Sequence, residues 1–369
     1  MISSSSYISE PEGNAIVYCD GAFMTTNGKT AHGLVRFTKR YRVLSVVDST
    51  CVGKDAGEIL DGKPKHIPIY ESVEAALNAS RLQGTPATHL VVGLAPDGGR
   101  ISAKGREDVL KAIQLGLHID SGLHDFFSDD PEFIDAATRA DVAIRDIRKP
   151  PSRETLHFFT GKIEEVRALK IAVLGTDSAV GKRTTAWMLV HALNAAGYPA
   201  EMVGTGQTSW LQGAAYSFIL DTMINDFLTG EIEHAVWSAW DASRPAAIII
   251  EGQGSLLNPA YPSGYEILAA ARPDLVILQH APARKEYDGF PGYRLHPLWK
   301  QVQGIEVVSG KPVVAVSINH ENIPTEKIPY VCDAIEMVVG LPTVDVLVSG
   351  ADKLVETLIP HLEKRKRIL

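Results

Sequence analysis

Short apolar runs separated by helically spaced stretches recur along the whole chain, a rhythm that predicts parallel sheets joined by crossover helices. In the first half, Ala15–Tyr18, Val43–Val47, His66–Tyr70, His89–Leu94 and Val142–Arg145 read as buried strands, with helices between them, as at Ser72–Ser80 and Lys104–Gly116. The pattern breaks at Arg148-Lys149-Pro150-Pro151-Ser152, where a charged pair followed by two prolines resists both helix and central strand. This break divides the chain into domains 1–150 and 151–369. In the second half the strand candidates are Lys170–Leu174, Ala200–Gly204, Ala246–Ile250, Leu275–Gln279, Val313–Ile318 and Val344–Val348. Helices fit at Gly181–Ala196, Ala214–Leu228, His234–Ala242, Ser263–Ala271, Leu298–Val308 and Thr325–Val339. No internal repeat is visible.

Composition narrows the functional classes. The chain has 369 residues, 45% hydrophobic and 22% charged, enough for two packed cores. A net charge of -8 argues against nucleic-acid binding, which needs a cationic surface. The basic run Lys364-Arg365-Lys366-Arg367 reads as a solvated helix end. No apolar stretch has the length of a signal peptide or a membrane span, so no membrane partner is expected. Cys19, Cys51 and Cys332 are widely spaced and odd in number, which gives neither a disulfide framework nor a metal signature. A reducing, cytoplasmic location and no bound metal are the expectations.

The sharpest chemistry lies after Lys170–Leu174. There the chain runs Gly175, Thr176, Asp177, Ser178, Ala179, Val180, Gly181, Lys182, Arg183, Thr184, Thr185, then a helical pattern. Strand, glycine-bounded loop and helix are the context of a phosphate loop. Glycines let the backbone wrap an anion, amide N–H groups point inward, and the helix adds its positive end. Lys182 can reach outer phosphate oxygens, and Thr184 or Thr185 can donate a hydroxyl. Two departures stand out. Five residues separate Gly175 from Gly181, where the common pattern has four, and Arg183 occupies the position of the usual magnesium-binding hydroxyl. Arginine cannot ligate a metal but can grip phosphate bidentately. Phosphate binding is therefore expected, and magnesium-dependent phosphoryl transfer is disfavoured.

Ligands of doubly wound sheets sit beyond the carboxyl ends of the strands. Those ends carry Gln207 and Thr208, then Glu251, then His280 with Arg284, Lys285, Asp288, Arg294 and His296, then Asn319. Glu251 reads either as a base or as an acid steadying the loop. His280 reads either as a base with a pKa near working pH or as a buried, satisfied histidine. Arg284, Lys285 and Arg294 form a candidate clamp for the carboxylates of a small acidic substrate. In the N-terminal domain no GxGxxG follows the first strand, so that half is expected to shape a cleft or an interface and not to bind a dinucleotide.

GTDSAVGKRTT resembles the loop of the dethiobiotin synthetase and MinD branch of P-loop proteins, with its GTDT-x-VGKT pattern. Together with GTGQTSW, IIIEGQGSLLNPAY, LQHAPARKEYDGFP and VAVSINHEN, it makes the chain resemble a family long described as a domain of unknown function. Members of that family have been assigned as D-glutamate N-acetyltransferases. The resemblance implies an N-terminal Rossmann-like domain and a C-terminal P-loop NTPase-like doubly wound domain. It also implies acetyl-CoA as co-substrate, held by its phosphates at residues 175–185, and an acidic amino acid as acceptor. Arg284, Lys285, Arg294, Gln207 and Thr208 would then bind the acceptor, and His280, Glu251 or Asp288 would supply the base. By analogy with the branch, a homo-oligomer is expected. The competing readings are a magnesium-ATP kinase or ligase and a nucleotide-dependent switch.

Overall fold

The computed structural model describes residues 10–367. The chain gathers into two compact units, the first comprising the chain up to Pro151 together with Gln207–Ala215. The second comprises Ser152–Gly206 and the chain from Tyr216 onward.

The first unit holds six parallel strands: β1 (Gly13–Tyr18), β2 (Tyr41–Val47), β3 (Ile69–Tyr70), β4 (His89–Val92), β5 (His118–Ser121) and β6 (Ile144–Asp146). Their order, β3-β2-β1-β4-β5-β6, is that of a Rossmann sheet. Ile16, Val92 and Ile119 from the strands share a core with Val109, Ile113 and Phe133 from the covering helices. Strand β5 was hidden in the sequence because its HIDS stretch carries an acid. Asp120 is fully buried, and it accepts from the Tyr41 hydroxyl at 2.5 Å and from the Arg145 guanidinium. Pairing of that kind offsets most of the cost of burying the charge.

The second unit holds β7 (Leu169–Gly175), β8 (Ala200–Gly204), β9 (Tyr216–Ser217), β10 (Ala247–Glu251), β11 (Leu275–His280), β12 (Val313–Ile318) and β13 (Thr343–Val344). The strands pair in parallel in the order β13-β12-β11-β7-β10-β8-β9. Every residue of β7 is buried, as a central strand covered on both faces requires. β10 and β11 leave β7 on opposite sides, so the switch point where such sheets take ligands lies at the end of β7. Register brings two polar side chains to the same place, because Glu251 pairs with Val173 and Gln279 with Gly175.

Two segments depart from the expected elements. Ala214–Leu228 is not a helix: Tyr216–Ser217 adds an edge strand to β8, and the helix begins only at Asn225 and runs to Ser243. The open edge of β8 offers backbone partners that an isolated helix would leave unmet. Val344–Val348 is a strand only at its start, because the Asp345 carboxylate accepts from the Leu347 and Val348 N–H groups and caps a short helix. Among the described residues, no helix is long and apolar enough to cross a membrane.

Candidate functional site

The turn from β7 into the helix Lys182–Ala195 is tightly wound. Gly181 sits at φ 104° and Ala179 at φ 51°, both left-handed. A non-glycine residue there stores roughly 1 kcal/mol or more, a strain typical of ligand-holding turns. Alternating handedness turns successive N–H groups to one side. Gly181, as the residue that precedes the helix, makes no side-chain cap hydrogen bond. The Lys182 ammonium folds back over the loop and donates to the carbonyls of Asp177 at 2.7 Å and Gly254 at 2.8 Å. A Cβ on Gly175 would lie 2.8 Å from both Nζ and Cδ of Lys182, so this crossing needs glycine.

Asp177 is the organising residue of the loop. Its carboxylate is completely buried and accepts four hydrogen bonds. Oδ1 takes the Ser178 N–H at 2.7 Å and the Asn258 side-chain amide at 2.8 Å. Oδ2 takes Arg284 and the Asp288 N–H, each at 2.8 Å. Four donors, one of them the Arg284 guanidinium, hold this carboxylate in place.

Arg284 lines the same cavity as Lys285 and Arg294, with its guanidinium engaged inside the protein. Its guanidinium forks onto Glu321 at 2.7 and 2.8 Å and donates to Asp177 and to the Ser178 carbonyl. Lys285 and Arg294 are exposed, and with His280, Arg284, His296 and Leu298 they line a cavity of about 570 Å³. Tyr287 N–H donates to the Tyr293 carbonyl, and Leu295 N–H to the Lys285 carbonyl, so the segment folds back on itself.

The three base candidates separate in space. His280 lines the cavity, and its Nδ1 lies 3.0 Å from the buried Thr176 hydroxyl. Burial, reinforced by the Arg284 charge, pushes its pKa down to about 4, so the ring is neutral at working pH. Glu251 is buried at the end of β10 and accepts from the Thr205 N–H at 3.0 Å. Asp288 is partly buried, and its backbone is pinned to Asp177. Of the loop hydroxyls, Thr185 donates to Gln279 Oε1 at 2.6 Å and lies 3.1 Å from the Ser317 hydroxyl, turned into the sheet. Thr184 is partly exposed on the first helical turn.

Gln207 and Thr208 belong to the first unit. Thr208 Oγ1 lies 2.9 Å from Thr30 Oγ1, and the Gln207 side chain fills the space that a Cβ on Gly122 would need. The structure adds residues that sequence reasoning passed over. Gln279 braces the loop by donating to the Val180 carbonyl at 3.0 Å, while Asn258 and Glu321 anchor the Asp177–Arg284 pair. Their signal was position, since Gln279 lies at the end of a strand and Glu321 follows one, while Asn258 sat inside the IIIEGQGSLLNPAY stretch without a charge to single it out.

A family model described as the domain of unknown function DUF1611_C, a P-loop domain, matches residues 157–355. Its companion DUF1611_N, a Rossmann-like domain, matches residues 49–150. Two relatives named D-glutamate N-acetyltransferase are each 29% identical to the chain. One, from Tritonibacter scottomollicae, aligns over 77% of this chain and 84% of its own length. The other, from a Pseudoalteromonas species, aligns over 74% and 81%. The crystal structure of a DUF1611 family protein from Anabaena variabilis matches with a TM-score of 0.85 at 27% identity, covering 95% of this chain and 100% of that one.

Proposed function

From the premise that this chain belongs to the DUF1611 family, we propose that it is an acyltransferase that moves the acetyl group of acetyl-CoA to the amine of D-glutamate or a similar small acidic amino acid. The observation that carries this reading is a phosphate loop beside a cavity where the cations Arg284, Lys285 and Arg294 outnumber the one lining carboxylate, Glu286. Coenzyme A brings phosphates that a glycine-bounded loop at a helix start, with Lys182 beside it, suits without any hydrolysis. The names of the two relatives support the same chemistry.

Within this reading the residues divide the work. Lys182, Gly181 and the first helical turn hold phosphate oxygens. Lys285 and Arg294 receive carboxylates by charge-assisted hydrogen bonds. The acceptor ammonium must lose a proton before its nitrogen attacks the thioester carbon and the coenzyme thiolate leaves. His280 is the one of the three base candidates that lines the cavity, and it stands there unprotonated. Arg183 stands where a magnesium ligand would be, and the Thr185 hydroxyl is committed to Gln279 and Ser317, an arrangement that disfavours the magnesium-ATP alternative.

Purified protein mixed with acetyl-CoA and D-glutamate should release coenzyme thiol in proportion to acetylated product, with full rate in EDTA. Formation of ADP from ATP and magnesium in the presence of candidate acids, with no thiol release from acetyl-CoA, would replace this reading with the kinase or ligase alternative.

A further inference from the structure

Two loops of the second unit carry an exposed aromatic cluster that phosphate binding alone does not explain. Tyr261 is 49% exposed and Tyr293 58%, and partly buried Phe290 bridges them edge-to-face, with centroids at 6.1 and 6.5 Å. Large aromatic side chains are rarely left in water in a group without a ligand or partner to cover them. Both loops are tied to Asp177 of the phosphate loop. Asn258, which accepts from the Tyr261 N–H at 2.9 Å, donates to one Asp177 oxygen, and the Asp288 N–H donates to the other. The first loop also supplies the Gly254 carbonyl to Lys182. The shelf is thereby fixed beside the anion site. The stretch from Leu256 to Tyr265 contains no charged residue.

We infer that this shelf holds the pantetheine arm of the coenzyme whose phosphates lie in the loop, an inference that rests on the acyltransferase reading. The occupant must be continuous with a phosphate and uncharged, and must offer methyl groups to ring faces and amides to water or to the tyrosine hydroxyls. Pantetheine has that composition. A nucleobase is the poorer fit, because the neighbouring rings meet at interplanar angles of 71° and 87° and offer no parallel slot.

The test is calorimetric titration of the full chain with coenzyme A and with 3′-phosphoadenosine 5′-diphosphate, which keeps every phosphate and lacks only the arm. Tyr261→Ala and Tyr293→Ala should each weaken coenzyme A on the order of tenfold while leaving the armless nucleotide within about twofold, and Tyr293→Phe should behave like wild type. Equal losses for both ligands, or no loss for either, overturn the inference. A wild-type chain that binds the two ligands alike, yet still releases thiol from acetyl-CoA, overturns it alone. A wild-type chain that binds neither overturns the acyltransferase reading and this inference together.

Discussion

At the scale of single residues, the decisive group is a carboxylate that does no chemistry. Asp177 takes four hydrogen bonds and lies under the phosphate loop, and Arg284 divides its guanidinium between that carboxylate and Glu321. Arg284 therefore positions the loop. Arg284→Lys keeps the charge but loses the fork. It should weaken coenzyme A by roughly tenfold and leave the KM for the acidic acceptor within about threefold. A variant with the opposite split, an unchanged coenzyme affinity and a raised acceptor KM, would return Arg284 to the clamp.

His280 makes a second prediction at this scale. Its pKa is about 4 in the fold, against an ordinary value near 6.5. Above pH ~6.5 both folded and unfolded states are neutral there and the group is silent. Between ~6.5 and 4 the unfolded chain binds a proton that the folded chain refuses, so stability falls as the pH falls, by an amount on the order of 3 kcal/mol in all. Denaturant midpoints at pH 7 and pH 4.5 should fall further apart for wild type than for His280→Gln, and identical differences would refute the assignment. If His280 is the base, its titration places the acidic limb of kcat/KM near pH 4 and not near 6.5.

At the scale of elements, the phosphate loop works because a strand, a turn and a helix agree on one crossing point. Gly175→Ala tests that agreement. The added methyl meets the Lys182 side chain at 2.8 Å, so the ammonium must leave its two carbonyls. Affinity for phosphate ligands should fall by an order of magnitude or more, with the melting temperature within a few degrees of wild type. A full loss of folded structure would instead make Gly175 a packing residue. This element was legible in the sequence because each signal for it is local: the apolar run of β7, the glycines, the lysine and the helix that follows. The strand β5 and the stretch after Ala214 were not legible, because distant partners decide them. Asp120 sits in a strand through its pairing with Tyr41 and Arg145, and Tyr216 pairs with Val203. The role of Arg284 was obscured for the same reason. A cation in a loop beyond a strand reads as a ligand contact, and no local pattern shows that Glu321 also holds it.

At the scale of the whole molecule, the chain leaves its second unit after Gly206 and returns at Tyr216. Within the first unit this excursion is fastened by the Gln212 side chain, which donates to the carbonyls of Gly33 and Phe37 at 2.8 Å each. Arg40 lies over the Trp210 ring at 3.6 Å. The chain changes unit at the proline-rich break near residue 150, but a single cut there leaves Gln207–Ala215 on the other fragment. A fragment ending at Pro151 lacks the side chain that satisfies those two carbonyls, and a fragment beginning at Ser152 carries Trp210 and Leu211 with no core to enter. The first fragment should be poorly soluble alone and regain cooperative unfolding when a synthetic peptide spanning Gln207–Ala215 is added. Recombination between relatives will therefore yield folded chimeras only when that short stretch travels with the amino-terminal parent.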